Sequence, residues 1–150
     1  MIEIIDYEDR YHEDFRQLNL EWLEKYQLIE EHDFEVLNNP LEIIAGGGCI
    51  FLARLNKAII GTAALVKMTE GIYELVKMTV TPHMRGAGIG KILIEHCIEK
   101  AKQLNAEKII LYSSTKLQTA VMMYEKYGFK HIPLINSPFI TADIKMQLSL

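Results

Sequence analysis

The chain has 150 residues, 49% of them hydrophobic and 24% charged, which suits one globular domain over residues 1–150 with a core of its own. A formal net charge of −4 argues against a nucleic-acid binder that works by general phosphate neutralisation, while a local basic patch for one small anionic ligand stays compatible. No stretch approaches the roughly 18 apolar residues of a spanning helix, no basic-then-apolar leader opens the chain, and Cys49 and Cys97 show no CxxC or Cys/His spacing, so the expectation is a cytoplasmic protein with no membrane segment, disulfide framework or zinc site.

A short strand, Ile2 to Ile5, gives way to a helix in which Phe15, Leu18, Trp22, Leu23 and Tyr26 recur at three- and four-residue intervals. The acidic run Glu30, Glu31, Asp33 and Glu35 hints at a cationic acceptor or reads as a solvated face. Asn39 before Pro40 has the form of a helix cap, and Gly46 can close the short helix that follows. From Cys49 the pattern turns to β: Cys49 to Leu55, an Asn56-Lys57 turn, Ala58 to Met68, a Glu70-Gly71 turn, then Ile72 to Val80. Three consecutive antiparallel strands are the economical arrangement. Ile89 to Leu104 carries Leu93, Cys97, Ala101 and Leu104 on one helix face, and Lys108 to Tyr112 follows as a strand. A strand, crossover helix and strand imply parallel pairing there. Thr115 to Gln118 has the S/T-x-x-E/Q form of a capping box, opening a helix with Ala120, Val121, Tyr124 and Tyr127 that stops at Gly128. A final strand, Ile140 to Leu148, completes a mixed α/β layer.

Between the third strand of the meander and the long helix lies "RGAGIGK", Arg85 to Lys91, with glycines at alternate positions. A phosphate-binding P-loop needs a glycine where Arg85 stands and a Ser or Thr where Ile92 stands. The dinucleotide fingerprint GxGxxG fails as well, since Lys91 occupies its last glycine's place. What remains is a glycine turn leading from a strand into a helix. Such a turn exposes unpaired N–H groups at the positive end of the helix dipole, and the missing Cβ atoms let a phosphate approach. Arg85 would add a bidentate side-chain donor.

"VTPHMRGAGIGK" resembles the acyl-coenzyme A signature Q/R-x-x-G-x-G/A of the GNAT N-acetyltransferases, with Arg85, Gly88 and Gly90 at the matching positions. "AVMMYEKYGF", Ala120 to Phe129, is similar to that family's A-x-x-x-Y-E-K-x-G-F segment. The resemblance implies a single-domain GNAT fold, α/β (α+β), with a mixed, mostly antiparallel sheet and helices on both faces. It implies acetyl-CoA as acyl donor, its pyrophosphate on Arg85, Gly86, Ala87, Gly88, Ile89, Gly90 and Lys91, and its pantetheine arm running as a false strand beside Met78, Thr79 and Val80.

Acetyl transfer to an amine calls for a base, an oxyanion donor and a proton for the leaving thiolate. The resemblance supplies candidates: Glu74 as base, a backbone N–H near Met78 for the oxyanion, and Tyr124 as acid. Glu74, Val76, Met78 and Val80 alternate onto one face unless a bulge shifts the phase. One departure is Leu117, which stands where many members carry a cofactor-contacting Asn; Ser114, Thr115 and Gln118 are the nearby polar substitutes.

The five histidines are scattered without metal-ligand spacing, so no metal is assigned. The expected acceptor is a small-molecule or peptide amine, with no nucleic acid and no membrane as partner. Dimers are common in the resembling family, which leaves a homodimer as an open expectation. A non-catalytic acyl-CoA-binding or regulatory module is the alternative, and a nucleotide-binding protein is a third reading.

Overall fold

Apolar runs along the middle of the chain, buried on both faces in β2 and β3, pair into one seven-stranded sheet, in a computed structural model that describes residues 1–150. The strands are β1 (Ile2–Asp6), β2 (Cys49–Leu55), β3 (Ala58–Thr69), β4 (Ile72–Val80), β5 (Lys108–Ser113), β6 (Lys130–Ile132) and β7 (Ile144–Ser149). Their spatial order is β1-β2-β3-β4-β5-β7-β6. Only β4 and β5 run parallel, joined by the crossover helix α4 (Ile89–Gln103). This is the mixed, mostly antiparallel sheet that the sequence predicts.

Helices cover both faces. On one side α1 (His12–Lys25), α2 (Glu31–Asn38) and α3 (Leu41–Ala45) bury Phe15, Leu37 and Ile43 against Ile50, Leu52 and Ala64. On the other, α4 and α5 (Gln118–Lys126) bury Leu93, Cys97 and Val121 against Ala63, Leu75 and Leu111. Gly61 on β3 makes that second packing possible, because a Cβ there would stand 3.1–3.2 Å from Leu93, Ile89 and the Thr79 carbonyl. No helix is long and apolar enough to cross a membrane.

Four local expectations change. The acidic run is helix α2, whose Asp33 carboxylate accepts from the Glu30 N–H at 2.8 Å. Asn39 does not cap the helix after it; its amide donates back to the Glu35 carbonyl at 3.1 Å, closing α2, while Pro40 occupies the cap position of α3. The Thr115 capping box does not form either. The Thr115 N–H and hydroxyl both donate to Asp143 at 2.8 Å, a partner 28 residues away, and Ser114 instead accepts from the Lys116 N–H at 3.2 Å. A charged acceptor outcompetes the local amide. The last strand begins at Ile144 rather than Ile140, and the three-residue β6 has too few residues to show a period.

A bulge in β4 decides which side chains of that strand reach which face of the sheet. Val76 faces Ala64 and Thr79 faces Thr62, so Lys77 and Met78 together oppose Ala63, and Lys77 takes a left-handed φ of 54°. The Thr62 hydroxyl donates to the Lys77 carbonyl at 2.7 Å, and the buried Asn19 amide of α1 donates to Thr62 at 3.2 Å. Buried hydrogen bonds thus hold an otherwise costly conformation. The extra residue shifts the phase: Val76 packs on the α1–α3 side with Val66, the partner of Glu74, whereas Met78 and Val80 pack on the α4 side. The face expected to be shared by Glu74, Val76, Met78 and Val80 is therefore split.

Candidate active site

The glycine turn enters α4 with Gly86 and Gly88 both at φ 82°, the left-handed region that L side chains rarely adopt. A Cβ added at either would meet nothing within 4 Å, so both face open space. Gly90 differs. It lies in the first turn of α4, and a Cβ there would touch the Met123 sulfur at an ordinary 3.4 Å. The first hydrogen bond of the helix runs from the Ile92 N–H to Gly88, leaving the N–H groups of Gly86 to Lys91 without a backbone acceptor. Successive free donors at the positive end of a helix form an anion cradle.

Arg85, expected to donate its N–H, instead gives it to the Pro82 carbonyl at 3.4 Å, so the free donors begin at Gly86, and its side chain lies along α1. The guanidinium stands 4.4 Å over the Trp22 ring and donates to the Tyr26 hydroxyl at 3.2 Å, and its buried Nε has no partner in the chain. The bidentate donor to the turn expected from sequence is thus directed elsewhere. Replacing Arg85 by Ala is expected to lower coenzyme A affinity only a few-fold, because the free N–H groups remain. The lost stacking, about 1 kcal/mol, should lower the melting temperature. Calorimetric titration and a thermal melt check both.

Beyond Glu74 and Ile110, β4 and β5 no longer pair, so from Leu75 to Val80 the strand has β3 on one edge and no strand on the other. The open edge can accept an extended polar chain as a surrogate strand, and Met78, Thr79 and Val80 lie on it. The splay also opens a cavity of about 480 Å³ through the sheet, lined by residues from both faces. Glu74 and Tyr124, from opposite helical layers, both line it.

Glu74 is 6% exposed, and no hydrogen bond reaches its carboxylate from the chain, so burial pushes its pKa up to about 7, with Lys77 and Lys145 partly offsetting the shift. A carboxyl poised there can take a proton at neutral pH. Tyr124 is buried at 7% exposure, its ring 5.7 Å from that of Phe129. Burial, and to a smaller extent Cys97, hold its phenol well above the usual tyrosine range, so it keeps its proton.

Leu117 lines the cavity too. The polar residues near it are engaged within the chain: Ser114 with the Lys116 N–H, Thr115 with Asp143, and the Gln118 amide with the Thr115 carbonyl at 2.9 Å. No group of three His, Cys, Asp or Glu side chains is placed to hold a metal ion.

Sequence reasoning named Glu30 and Asp33 only as part of an acidic run and missed Lys77, Phe139 and Thr141 among the lining residues. Asp33 and Lys77 form a buried ion pair, with side chains 8% and 10% exposed, across 44 residues. Phe139 stacks edge-on against His32 and Tyr112, at 5.5 and 5.3 Å. The Glu30 carboxylate accepts from the Ile140 and Thr141 N–H groups and the Thr141 hydroxyl, fastening the segment before β7 over the cavity. Nothing in the local sequence around Phe139 or Ile140 signals these long-range contacts.

Known proteins share both the sequence pattern and the fold. A family model described as acetyltransferase (GNAT) family matches residues 7–129. The chain is 30% identical over 111 residues to the uncharacterized N-acetyltransferase YjgM of Escherichia coli (strain K12), covering 73% of this chain and 59% of that protein. It spans from about a third to about three fifths of the length of the curated relatives it matches first. A GNAT-family acetyltransferase from Staphylococcus aureus Mu50 superposes with a TM-score of 0.91, at 26% identity over 99% of both chains. PaiA N-acetyltransferase from Thermoplasma acidophilum, solved in complex with coenzyme A, gives a TM-score of 0.81 at 18% identity, covering 100% of this chain and 99% of that one.

Proposed function

The chain belongs to the GNAT acetyltransferase family, and from that premise we propose that it is an acetyl-CoA-dependent N-acetyltransferase acting directly on a primary amine. The observation that carries the reading is the meeting of Glu74 and Tyr124 in one cavity, beside the open edge of β4. The free N–H groups of Gly86 to Lys91 and the empty space at Gly86 and Gly88 fit a pyrophosphate. The coenzyme A in the Thermoplasma structure of the same fold supports the choice of donor.

Acetyl-CoA, when bound, supplies the acetyl group on a thioester whose sulfur can leave. Gly86 to Lys91 hold the pyrophosphate through backbone donors, and Met78, Thr79 and Val80 orient the pantetheine arm along β4. Glu74 takes the proton of the acceptor ammonium, freeing the nitrogen lone pair. As the carbon–nitrogen bond forms and the carbon–sulfur bond breaks, the nitrogen would release its second proton to solvent, Tyr124 would give its proton to the departing sulfur and regain one from solvent, and a backbone N–H near Met78 would stabilise the carbonyl oxygen, so that one proton is released per amide formed.

Tyr124→Phe tests the assignment, since it keeps the ring and removes the proton. It is expected to lower kcat about 10- to 1000-fold with near-normal acetyl-CoA affinity. A phenol that served only packing would cost about 1 kcal/mol of stability and leave turnover intact. Single-turnover rate and melting temperature measured together decide between them; normal turnover ends the acid role. A chain that binds acetyl-CoA and releases no thiol with any amine would be a binding module instead.

A further inference from the structure

The charges that line the cavity leave few choices for an acceptor. Asp33 is matched by Lys77 in a buried pair, and the bulge that aims Lys77 is braced by Thr62 and Asn19. Glu30 is saturated by three donors from Ile140 and Thr141. Glu42 and His32 are exposed at the rim, the latter with its ring against Phe139. That leaves Glu74 as the one buried carboxylate with no partner in the chain. Tyr112 and Tyr124 bring phenols but no charge, and the rest of the wall is mostly apolar, with Trp22, Leu28, Val36 and Val66 among it.

A ligand must match this distribution. One ammonium can pair with Glu74. A second ammonium finds only the solvent-screened Glu42, where an ion pair adds little. A carboxylate on the acceptor would enter beside Glu74 and Asp33; Lys77, the one lysine of the lining, is already matched, and Lys145 acts on Glu74 from outside the lining, against the Tyr112 ring, so the carboxylate would find no free cation in the wall. The volume, about 480 Å³, is that of a small-ligand site.

Resting on the acetyl-transfer reading, we infer that the acceptor is a monoamine on an apolar body of aromatic size, and that the Asp33–Lys77 pair is the device that excludes amino acids. Asp33 is a specificity residue because it neutralises Lys77, the one lysine in the cavity wall that could receive a carboxylate. Its role is to occupy Lys77, not to touch the amine.

The test uses the full chain and four amines: phenethylamine, phenylalanine, aspartate and spermidine. Two readouts are taken, thiol release from acetyl-CoA and calorimetric binding of each amine to the coenzyme A complex. Phenethylamine is expected to exceed the other three at least about 100-fold in kcat/KM, with the same ranking in affinity, as unmatched buried charge is strongly rejected. Equal or better use of phenylalanine, aspartate or spermidine overturns the inference, as does failure of phenethylamine to bind. Absence of thiol release with every amine refutes the transfer reading separately, and the calorimetric ranking then still decides the inference. Asp33→Asn keeps an oxygen for the Glu30 N–H while freeing the Lys77 charge. It is expected to raise phenylalanine use relative to phenethylamine at least about 10-fold. Asp33→Asn combined with Lys77→Met should restore the original ranking, with circular dichroism as the check on folding. An unchanged ratio in a folded Asp33→Asn chain overturns the role given to the pair.

Discussion

Glu74→Gln is expected to lower kcat/KM about 10²- to 10⁴-fold, the range of a single positioned base. The change keeps the side chain's shape and removes its ability to take a proton. The wild-type kcat/KM should rise with pH through about 7, because burial raises the Glu74 pKa to that value and only the ionised form is a base. The Gln variant should lose this limb. Stability carries the opposite sign. The folded chain retains a proton that the unfolded chain has released above the ordinary value of 4.5, so the contribution of Glu74 is present below that pH and is lost as pH rises to about 7. The melting temperature of the variant relative to wild type should therefore improve across that window. A Gln variant with unchanged kcat/KM and an intact limb would transfer the base role to an ordered water.

Gly88→Val is expected to abolish coenzyme A binding, by more than about 100-fold in affinity, in a chain that still folds. A Cβ added there meets nothing within 4 Å, so the side chain projects into the open space that the proposed function gives to the pyrophosphate. The φ of 82° adds a backbone cost of about 1–2 kcal/mol, which a folded domain of this size can absorb. Gly90→Ala is the matched control. Its Cβ falls in a helix, at ordinary contact with Met123, and affinity should stay within a few-fold of wild type. Calorimetry with circular dichroism separates the outcomes, and a folded Val variant with normal affinity removes the turn from the cofactor site.

Much of the fold was legible because its signals are local. The boundaries of β2 and β4 coincide with the runs read from alternation, and α4 departs from its predicted span by one residue at its end. Apolar runs suffice there, since β2 is buried on both faces and α4 on one, and both leave their mark on the sequence. The two blocks Arg85 to Lys91 and Ala120 to Phe129 identified the family through residues whose backbone and side-chain demands are specific. Short elements and caps failed for the reverse reason. Thr115 and Asn39 each had a local cap partner available and instead bonded Asp143, a charged acceptor, and the Glu35 carbonyl of the preceding helix.

By itself, the sequence determined a mixed sheet with its parallel crossover, the glycine turn at the start of α4, and the candidate residues Glu74 and Tyr124. Only the tertiary structure decided how these residues relate. A strand's period places alternate residues on one face, but one inserted residue at Lys77 reverses that assignment, and its cost is met by Thr62 and Asn19 from other elements. The end of β4–β5 pairing at Glu74 and Ile110 then opens the sheet, so side chains from opposite layers reach one cavity. Pairing of Asp33 with Lys77 likewise sets the polarity of that cavity, across a separation that no local pattern encodes. Periodicity reports what each segment must bury, whereas the charge balance and the gap depend on which segments meet.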